Sequence, residues 1–189
     1  MESLKQRILE EGSILSKQVL SLDAILNHQV DPKLIMEIGR EFAQRFSGVK
    51  ITRVLTMESS GIPIAFATAH ELGVPLVFAR RKKTLTTDSD AYFERVPSFT
   101  KGIVTDIMVS KKFLNKDDRV LLIDDIIANG DTARGLIRII ERSGAELAGL
   151  GIVVEKSFQA GARTIRDLGI RIESLVKIKS LDNDQILFE

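Results

Sequence analysis

The chain has 189 residues, 44% of them apolar and 28% charged, with a formal net charge of +1 and no cysteine. That length supports one sizeable core, and the composition is that of a globular protein rather than a disordered one. Disulfides, thiolate chemistry and cysteine-based zinc sites are excluded, and so near-neutral a chain has no global field drawing it to nucleic acid or a membrane surface. The first residues mix charges (Glu2, Lys5, Arg7, Glu10, Glu11) where a signal peptide would be apolar. No run approaches the ~18 apolar residues of a membrane span. A cytoplasmic protein with one domain over residues 1–189 is the expectation.

In chain order, Leu4, Ile8 and Leu9 mark a short amphipathic helix over 3–11, stopped at Gly12. Ile14 to Val30 shows no sustained period. Asp31-Pro32 is a helix start, with an acceptor at the cap and proline at the first position. Leu34, Ile35, Ile38, Phe42 and Phe46 then repeat at helical spacing until Ser47-Gly48. Ile51 to Met57 reads as a strand, Glu58-Ser59-Ser60-Gly61 as a polar turn, and Pro63 as the opening of an alanine-rich helix ending at Leu72-Gly73. Val74 to Ala79 is the next strand. Residues 80–118 break the pattern with Arg80-Arg81-Lys82-Lys83, a polar tract from Thr84 to Asp90, and β-prone stretches near 91–99 and 103–109. A mobile loop or antiparallel flap is expected there, since a segment this long in a compact domain is usually functional or disordered.

After the flap come a strand over Val120 to Ile123 and a helix carrying Ala133, Leu136, Ile137 and Ile140, stopped at Ser143-Gly144. Leu147 to Val154 is another buried strand, and a helix around 160–168 ends at Gly169. Ile170, Ile172, Val176 and Ile178 alternate with Arg171, Glu173 and Lys177, the period of a half-exposed strand. Repeated strand–helix units predict an α/β fold with a mostly parallel sheet flanked by helices.

The chemistry centres on Val120-Leu121-Leu122-Ile123-Asp124-Asp125-Ile126-Ile127-Ala128-Asn129-Gly130-Asp131-Thr132. Four apolar residues form a strand buried on both faces, and two carboxylates follow where it should leave the sheet. A tight turn with Gly130 leads into the helix, with Asp131 or Thr132 available to cap it. Ligands of parallel α/β sheets bind at the carboxyl ends of strands, and unpaired N–H groups at a helix start attract anions. Adjacent carboxylates accept from a pair of neighbouring hydroxyls, while the turn of donors suits a phosphate.

This order resembles the signature of the type I phosphoribosyltransferases. The resemblance implies that Asp124 and Asp125 hold the ribose hydroxyls of phosphoribosyl pyrophosphate, and that Ala128, Asn129, Gly130, Asp131 and Thr132 hold its 5-phosphate. Most members have Thr-Gly where this chain has Asn129-Gly130, and a small residue at the position of Asp131, whose charge must point away from a bound phosphate. The second strand–turn–helix unit, Glu58, Ser59, Ser60 and Gly61, matches the family's diphosphate turn. Arg80 and Lys83 are candidates for the diphosphate as well; by pattern alone the cluster is a solvated basic face. Magnesium travels with the donor in this family, on the leaving diphosphate, and the members are commonly homodimers.

For the acceptor, Glu155-Lys156-Ser157-Phe158 matches the region where purine-specific members carry a lysine donor to the C6 oxygen and an aromatic stacked on the base, here Lys156 and Phe158. The N-terminal residues, about 1–30, are similar to the hood of bacterial members that act on xanthine, where the positions matching Leu20 and Asn27 contact the base. An Asn amide donates to the 2-oxo group that xanthine has and hypoxanthine lacks; by pattern alone Asn27 is an ordinary turn residue. The implied reaction is transfer of 5-phosphoribosyl to N9 of xanthine in purine salvage. A guanine/hypoxanthine enzyme and a non-catalytic regulator that senses phosphoribosyl pyrophosphate are the alternatives. His28 and His70 fit neither a metal triad nor a nucleophile–base pair.

Overall fold

The computed structural model describes residues 1–81, 90–98, 103–182 and 185–189, without the side chains of Asn27, Ser98 and Ile103. Lys83 and the polar tract of 84–89 therefore lie outside the described residues. Helix α1 (Glu2–Glu11) buries Leu4 and Ile8 and ends at Gly12, as its periodicity predicts. The stretch from Ile14 to Val30, which shows no period, contains a two-stranded antiparallel hairpin, β1 (Ser13–Ser16) with β2 (Val19–Ser21). A π-helical turn over Asp23–Asn27 follows. Strands of four and three residues are too short to establish a repeat.

Helix α2 (Pro32–Arg45) begins as the sequence dictates: the Asp31 carboxylate accepts from the N–H groups of Lys33 and Leu34, with Pro32 at the first position. Arg7 of α1 also donates to Asp31, at 2.8 Å, and ties the two helices together. Leu34, Ile35, Ile38 and Phe42 are buried along one stripe, each contributing roughly 1.5–3 kcal/mol over an exposed position.

The main sheet is built from strand–helix units: β3 (Arg53–Met57), α3 (Gly61–Leu72), β4 (Leu76–Arg81), the hairpin strands β5 (Ala91–Ser98) and β6 (Ile103–Ser110), β7 (Arg119–Ile127), α4 (Asp131–Ser143), β8 (Glu146–Lys156), α5 (Gly161–Arg166), β9 (Ile172–Asp182) and β10 (Gln185–Phe188). The strand order is β10-β9-β8-β7-β3-β4-β6-β5. β4, β3, β7, β8 and β9 run parallel, and both ends of the sheet are antiparallel. Apolar layers cover both faces. Leu121 and Ile123 pack with α1, α2 and α3, whereas Val120 and Leu122 pack with α4 and α5. The apolar run of β7 reads as buried on both faces for this reason.

The structure corrects several boundaries. Strands β4, β7 and β8 each run past their apolar stretch, so that Arg80, Arg81, Asp124, Asp125, Glu155 and Lys156 all belong to strands. Backbone pairing holds them in the sheet where hydropathy stops. The acidic pair therefore sits within β7 rather than beyond it. The helix expected at Pro63 begins at Gly61, and the strand expected from Ile51 begins at Arg53. The strand expected from Ile170 begins at Ile172, and β10 pairs antiparallel along its edge. The flap reading holds for 91–98 and 103–110, which pair antiparallel, and β6 joins the main sheet through the end of β4. Glu94 on β5 fastens this hairpin to α4 through Arg138 at 2.9 Å and Arg142 at 3.3 Å. Burial opposes its charge, but the two guanidiniums outweigh burial and hold its carboxyl below the usual range.

Candidate active site

The chain lays β3 and then β4 to one side, and afterwards β7, β8 and β9 to the other, so the order reverses between β3 and β7. An open α/β sheet places its ligand crevice at such a reversal, at the carboxyl ends of the strands. The register of β3 with β7 stops at Leu55 opposite Leu122, while β7 continues beside β8 as far as Ile127 opposite Glu155. Asp124 lies just past the point where β3 and β7 part. An open pocket occupies this end of the sheet. It brings together Asp124, the turn Ala128 to Thr132, Arg81 of β4, and Val96 and Thr105 of the hairpin.

Asp124 is 8% exposed. Burial first, and the adjacent Asp125 carboxylate second, push its carboxyl well above the usual range. One oxygen of Asp124 accepts from the Asp125 N–H at 3.0 Å, and Asp125 accepts from the Ile126 N–H at 2.9 Å. Such a group is costly to ionise alone, and hydroxyl donors or a cation make it easier to ionise. That is the electrostatic character of a ligand-accepting carboxylate.

The turn after β7 is shaped from behind. Gly130 has φ +81°, a left-handed conformation that glycine adopts without cost, and it occupies the helix cap without any side-chain capping bond. Neither Asp131 nor Thr132 caps α4, contrary to expectation. The Gly161 N–H at the start of α5 donates to the Ala128 carbonyl at 3.0 Å. The Arg134 guanidinium donates to the Asn129 carbonyl at 2.7 Å. In a trans peptide the carbonyl and the next N–H point opposite ways. Holding those two carbonyls toward α5 and Arg134 therefore aims the Asn129 and Gly130 N–H groups the other way. With the unpaired first-turn donors of α4, this makes an anion cradle.

Glu58 joins the second turn to β4. Its N–H donates to the Ala79 carbonyl at 3.0 Å, and its carboxylate accepts from the Arg81 N–H at 2.8 Å. The same carboxylate pairs with the Arg80 side chain at 3.6 Å. The Glu58–Ser59 peptide is cis, and Ser60 and Gly61 lead directly into α3. Successive residues of a strand face opposite sides, so Arg80 and Arg81 diverge: Arg80 is exposed beside Glu58, and Arg81 lines the pocket. Sequence reasoning missed Arg81. The signal for it was the period of two, available only once β4 is known to continue past Ala79.

Of the residues expected to meet a base, Leu20 and Asn27 belong to the hood and Lys156 reaches it. Lys156 is largely buried, and its ammonium donates to the Gln18 carbonyl in the β1–β2 turn at 2.8 Å. Burial lowers its pKa. Phe158 is 38% exposed in the turn beyond β8, while Leu20 is buried in the apolar layer with Leu4 and Ile8. Asn27 ends the π-helical turn, and its side chain lies outside the described residues.

Beside Lys156, Glu155 is 3% exposed and receives two bonds from Arg166 of α5, at 2.7 and 2.6 Å, and another from the Ser174 hydroxyl. Burial opposes this charge, but Arg166 and Ser174 outweigh it and hold the carboxyl below the usual range. A depressed folded-state pKa adds stability that is present above the unfolded value of ~4.3 and lost as pH falls through the folded one. Removing Arg166 strands a buried charge, and Arg166→Leu should destabilise the protein by about 3–5 kcal/mol. Urea unfolding at pH 7 checks the size, and the deficit should shrink toward pH 4 as Glu155 takes up a proton.

Residues 21–179 match the family model described as a phosphoribosyl transferase domain. The chain is 52% identical over 188 residues to the xanthine phosphoribosyltransferase of Moorella thermoacetica, covering 100% of this chain and 96% of that one. It is 50% identical to the xanthine phosphoribosyltransferase of Bacillus cytotoxicus, covering 100% and 95%. Among solved structures, adenine phosphoribosyltransferase from Rhodothermus marinus matches with a TM-score of 0.76 at 23% identity, over 94% of this chain and 100% of that one. The Giardia lamblia enzyme complexed with 9-deazaadenine matches with a TM-score of 0.76 at 22% identity, over 92% and 97%. At those identities the likeness to the solved structures speaks for the fold alone.

Proposed function

Because the chain belongs to the phosphoribosyltransferase family, we propose that it transfers 5-phosphoribosyl from phosphoribosyl pyrophosphate to N9 of xanthine, releasing pyrophosphate and forming xanthosine 5′-monophosphate. One observation carries the donor half of this reading: Asp124 and the Ala128–Thr132 turn share a single pocket where the strand order reverses. The acceptor half rests on full-length relatives that carry xanthine in their names.

In this reading Asp124 and Asp125 accept the ribose hydroxyls and fix the ring, while the amides of the 128–132 turn hold the 5-phosphate. Glu58, Ser59, Ser60 and Gly61, with Arg80, Arg81 and Lys83, serve the diphosphate. The ribose passes through an oxocarbenium-like state that needs positioning and charge stabilisation rather than covalent help from the protein. Among the described residues no three acidic or histidine side chains gather. This donor set fits a magnesium ion carried on substrate oxygens rather than in a protein cage. When bound, the ion neutralises charge on the leaving diphosphate. Lys156, Phe158, Leu20 and Asn27 serve the base. Lys156 exchanges the Gln18 carbonyl for a purine oxygen, a trade that the 6-amino group of adenine cannot offer. A homodimer in the cytoplasm belongs to the same reading. No described helix is long and apolar enough to cross a membrane.

Pyrophosphate release with xanthine, guanine, hypoxanthine and adenine tests the reading. Xanthine should lead in kcat/KM, with adenine lower by roughly 10⁴, the scale on which a site left with unpaired buried polar groups rejects a substrate. A guanine preference would refute the xanthine assignment. Tight donor binding with no release on any base would favour a sensing regulator.

A further inference from the structure

Asp131 places a carboxylate at the first position of α4, against the cradle that is to hold a phosphate. Negative charge suits a helix start, so Asp131 and a phosphate compete for the same amides. The described residues contain a specific remedy. Arg134, one turn along α4, donates through Nη2 to Asp131 Oδ1 at 2.7 Å and to the Asn129 carbonyl at 2.7 Å, and through Nη1 to the Thr164 hydroxyl of α5 at 3.2 Å. Its own N–H closes the first turn onto the Gly130 carbonyl at 2.9 Å. Asp131 is 17% exposed and Arg134 33%, so the pair is sheltered from full solvent screening.

We propose that Arg134 is a positioning residue for the 5-phosphate turn, neutralising Asp131 and holding the Asn129 carbonyl back so that the turn's amides face the phosphate. The proposal rests on the donor reading above. It adds a residue that does not itself touch substrate, and it explains how this chain accommodates an acidic residue at this position. A planar fork is needed, because three acceptors, in the turn, in α4 and in α5, must be met at once; a lysine would reach Asp131 as a point charge only.

The test compares wild type, Arg134→Ala, Arg134→Lys and the double variant Asp131→Asn/Arg134→Ala. Steady-state kinetics and calorimetric titration with magnesium phosphoribosyl pyrophosphate supply the readouts. Arg134→Ala should raise KM and Kd for the donor roughly 10–100-fold, the scale of a lost charged hydrogen bond, with KM for xanthine unchanged. Arg134→Lys should fall between Arg134→Ala and wild type. The double variant should regain most of the donor affinity, because the uncompensated carboxylate is gone. Unchanged donor KM in Arg134→Ala overturns the proposal, as does a double variant no better than the single one. If Arg134→Ala does not fold, the contrast between Arg134→Lys and Asp131→Asn/Arg134→Lys decides in the same way. Wild-type protein that neither binds nor consumes the donor would instead refute the reading beneath it.

Discussion

Asp124→Asn with Asp125→Asn should lower kcat/KM for phosphoribosyl pyrophosphate by roughly 10²–10⁴, because two hydrogen bonds to charged groups at about 1.5–3 kcal/mol each are lost. The same change should leave the fold intact and, for Asp124, strengthen it. Burial and the Asp125 carboxylate raise the Asp124 pKa in the folded chain. A raised carboxyl pKa means that the folded state holds the proton more tightly than the unfolded state. Its stabilising effect is fully present below the unfolded value of ~3.9 and is lost as pH rises through the folded value. Above the unfolded value the wild type therefore bears a growing cost at Asp124, either of keeping the proton or of ionising in a buried site, and a neutral amide at the same position avoids it. The single variant Asp124→Asn should melt higher than wild type, by roughly 2–4 °C for each kcal/mol relieved, and the gain should be larger at pH 8 than at pH 5. Thermal unfolding at the two pH values reads the sign directly. A variant that melts lower at pH 8 would contradict the assigned cost, and unchanged turnover in the double variant would contradict the assigned role. Loss of activity with gain of stability is the mark of a carboxylate kept for its ligand.

Gly161→Ala is the second large effect. A Cβ at this position would run into the Ala128 oxygen and lie 2.6 Å from both the Asn129 carbonyl carbon and the Gly130 nitrogen. All three atoms are backbone, so no side chain can swing aside and the phosphate turn itself must move. A displacement near 1 Å at a positioning element costs about 10²-fold in rate, and kcat/KM for the donor should fall by at least that much. Overpacking should also destabilise the fold by about 1–3 kcal/mol. Kinetics and denaturant unfolding separate the two consequences. Activity within a few-fold of wild type would show that α5 does not set the geometry of the turn.

These two results bear on different kinds of legibility. Asp124 and Asp125 stand out in the sequence because an apolar run, two carboxylates and a glycine turn are contiguous, and their order alone suggests a strand end and a helix start. The Asp31-Pro32 cap and the stripe of α2 are legible for the same reason, since the physics acts over one or two turns of chain. Gly161 carries no such local signal. Gly161 lies some thirty residues beyond the turn it supports, and it reaches that turn only because β7 and β8 are neighbours in the sheet. The hairpin β1–β2 and the outer strand β10 were illegible for another reason. They are short, and pairing partners rather than periodicity hold them in place.

The alternation of strand and helix, the two-faced burial of β7 and the chemical inventory of the 124–132 segment are written in the order of the amino acids, because hydrophobic period and turn chemistry are properties of neighbouring residues. Tertiary structure alone decided that strands continue through charged residues, because ladder hydrogen bonds hold a strand whatever its side chains. It also decided that Arg81 rather than Arg80 lines the pocket, because strand alternation assigns faces only after the strand's extent is known. And it decided that Gly130 rather than Asp131 caps α4, because the chain enters the helix through a left-handed Gly130 and Asp131 is already the first helical residue.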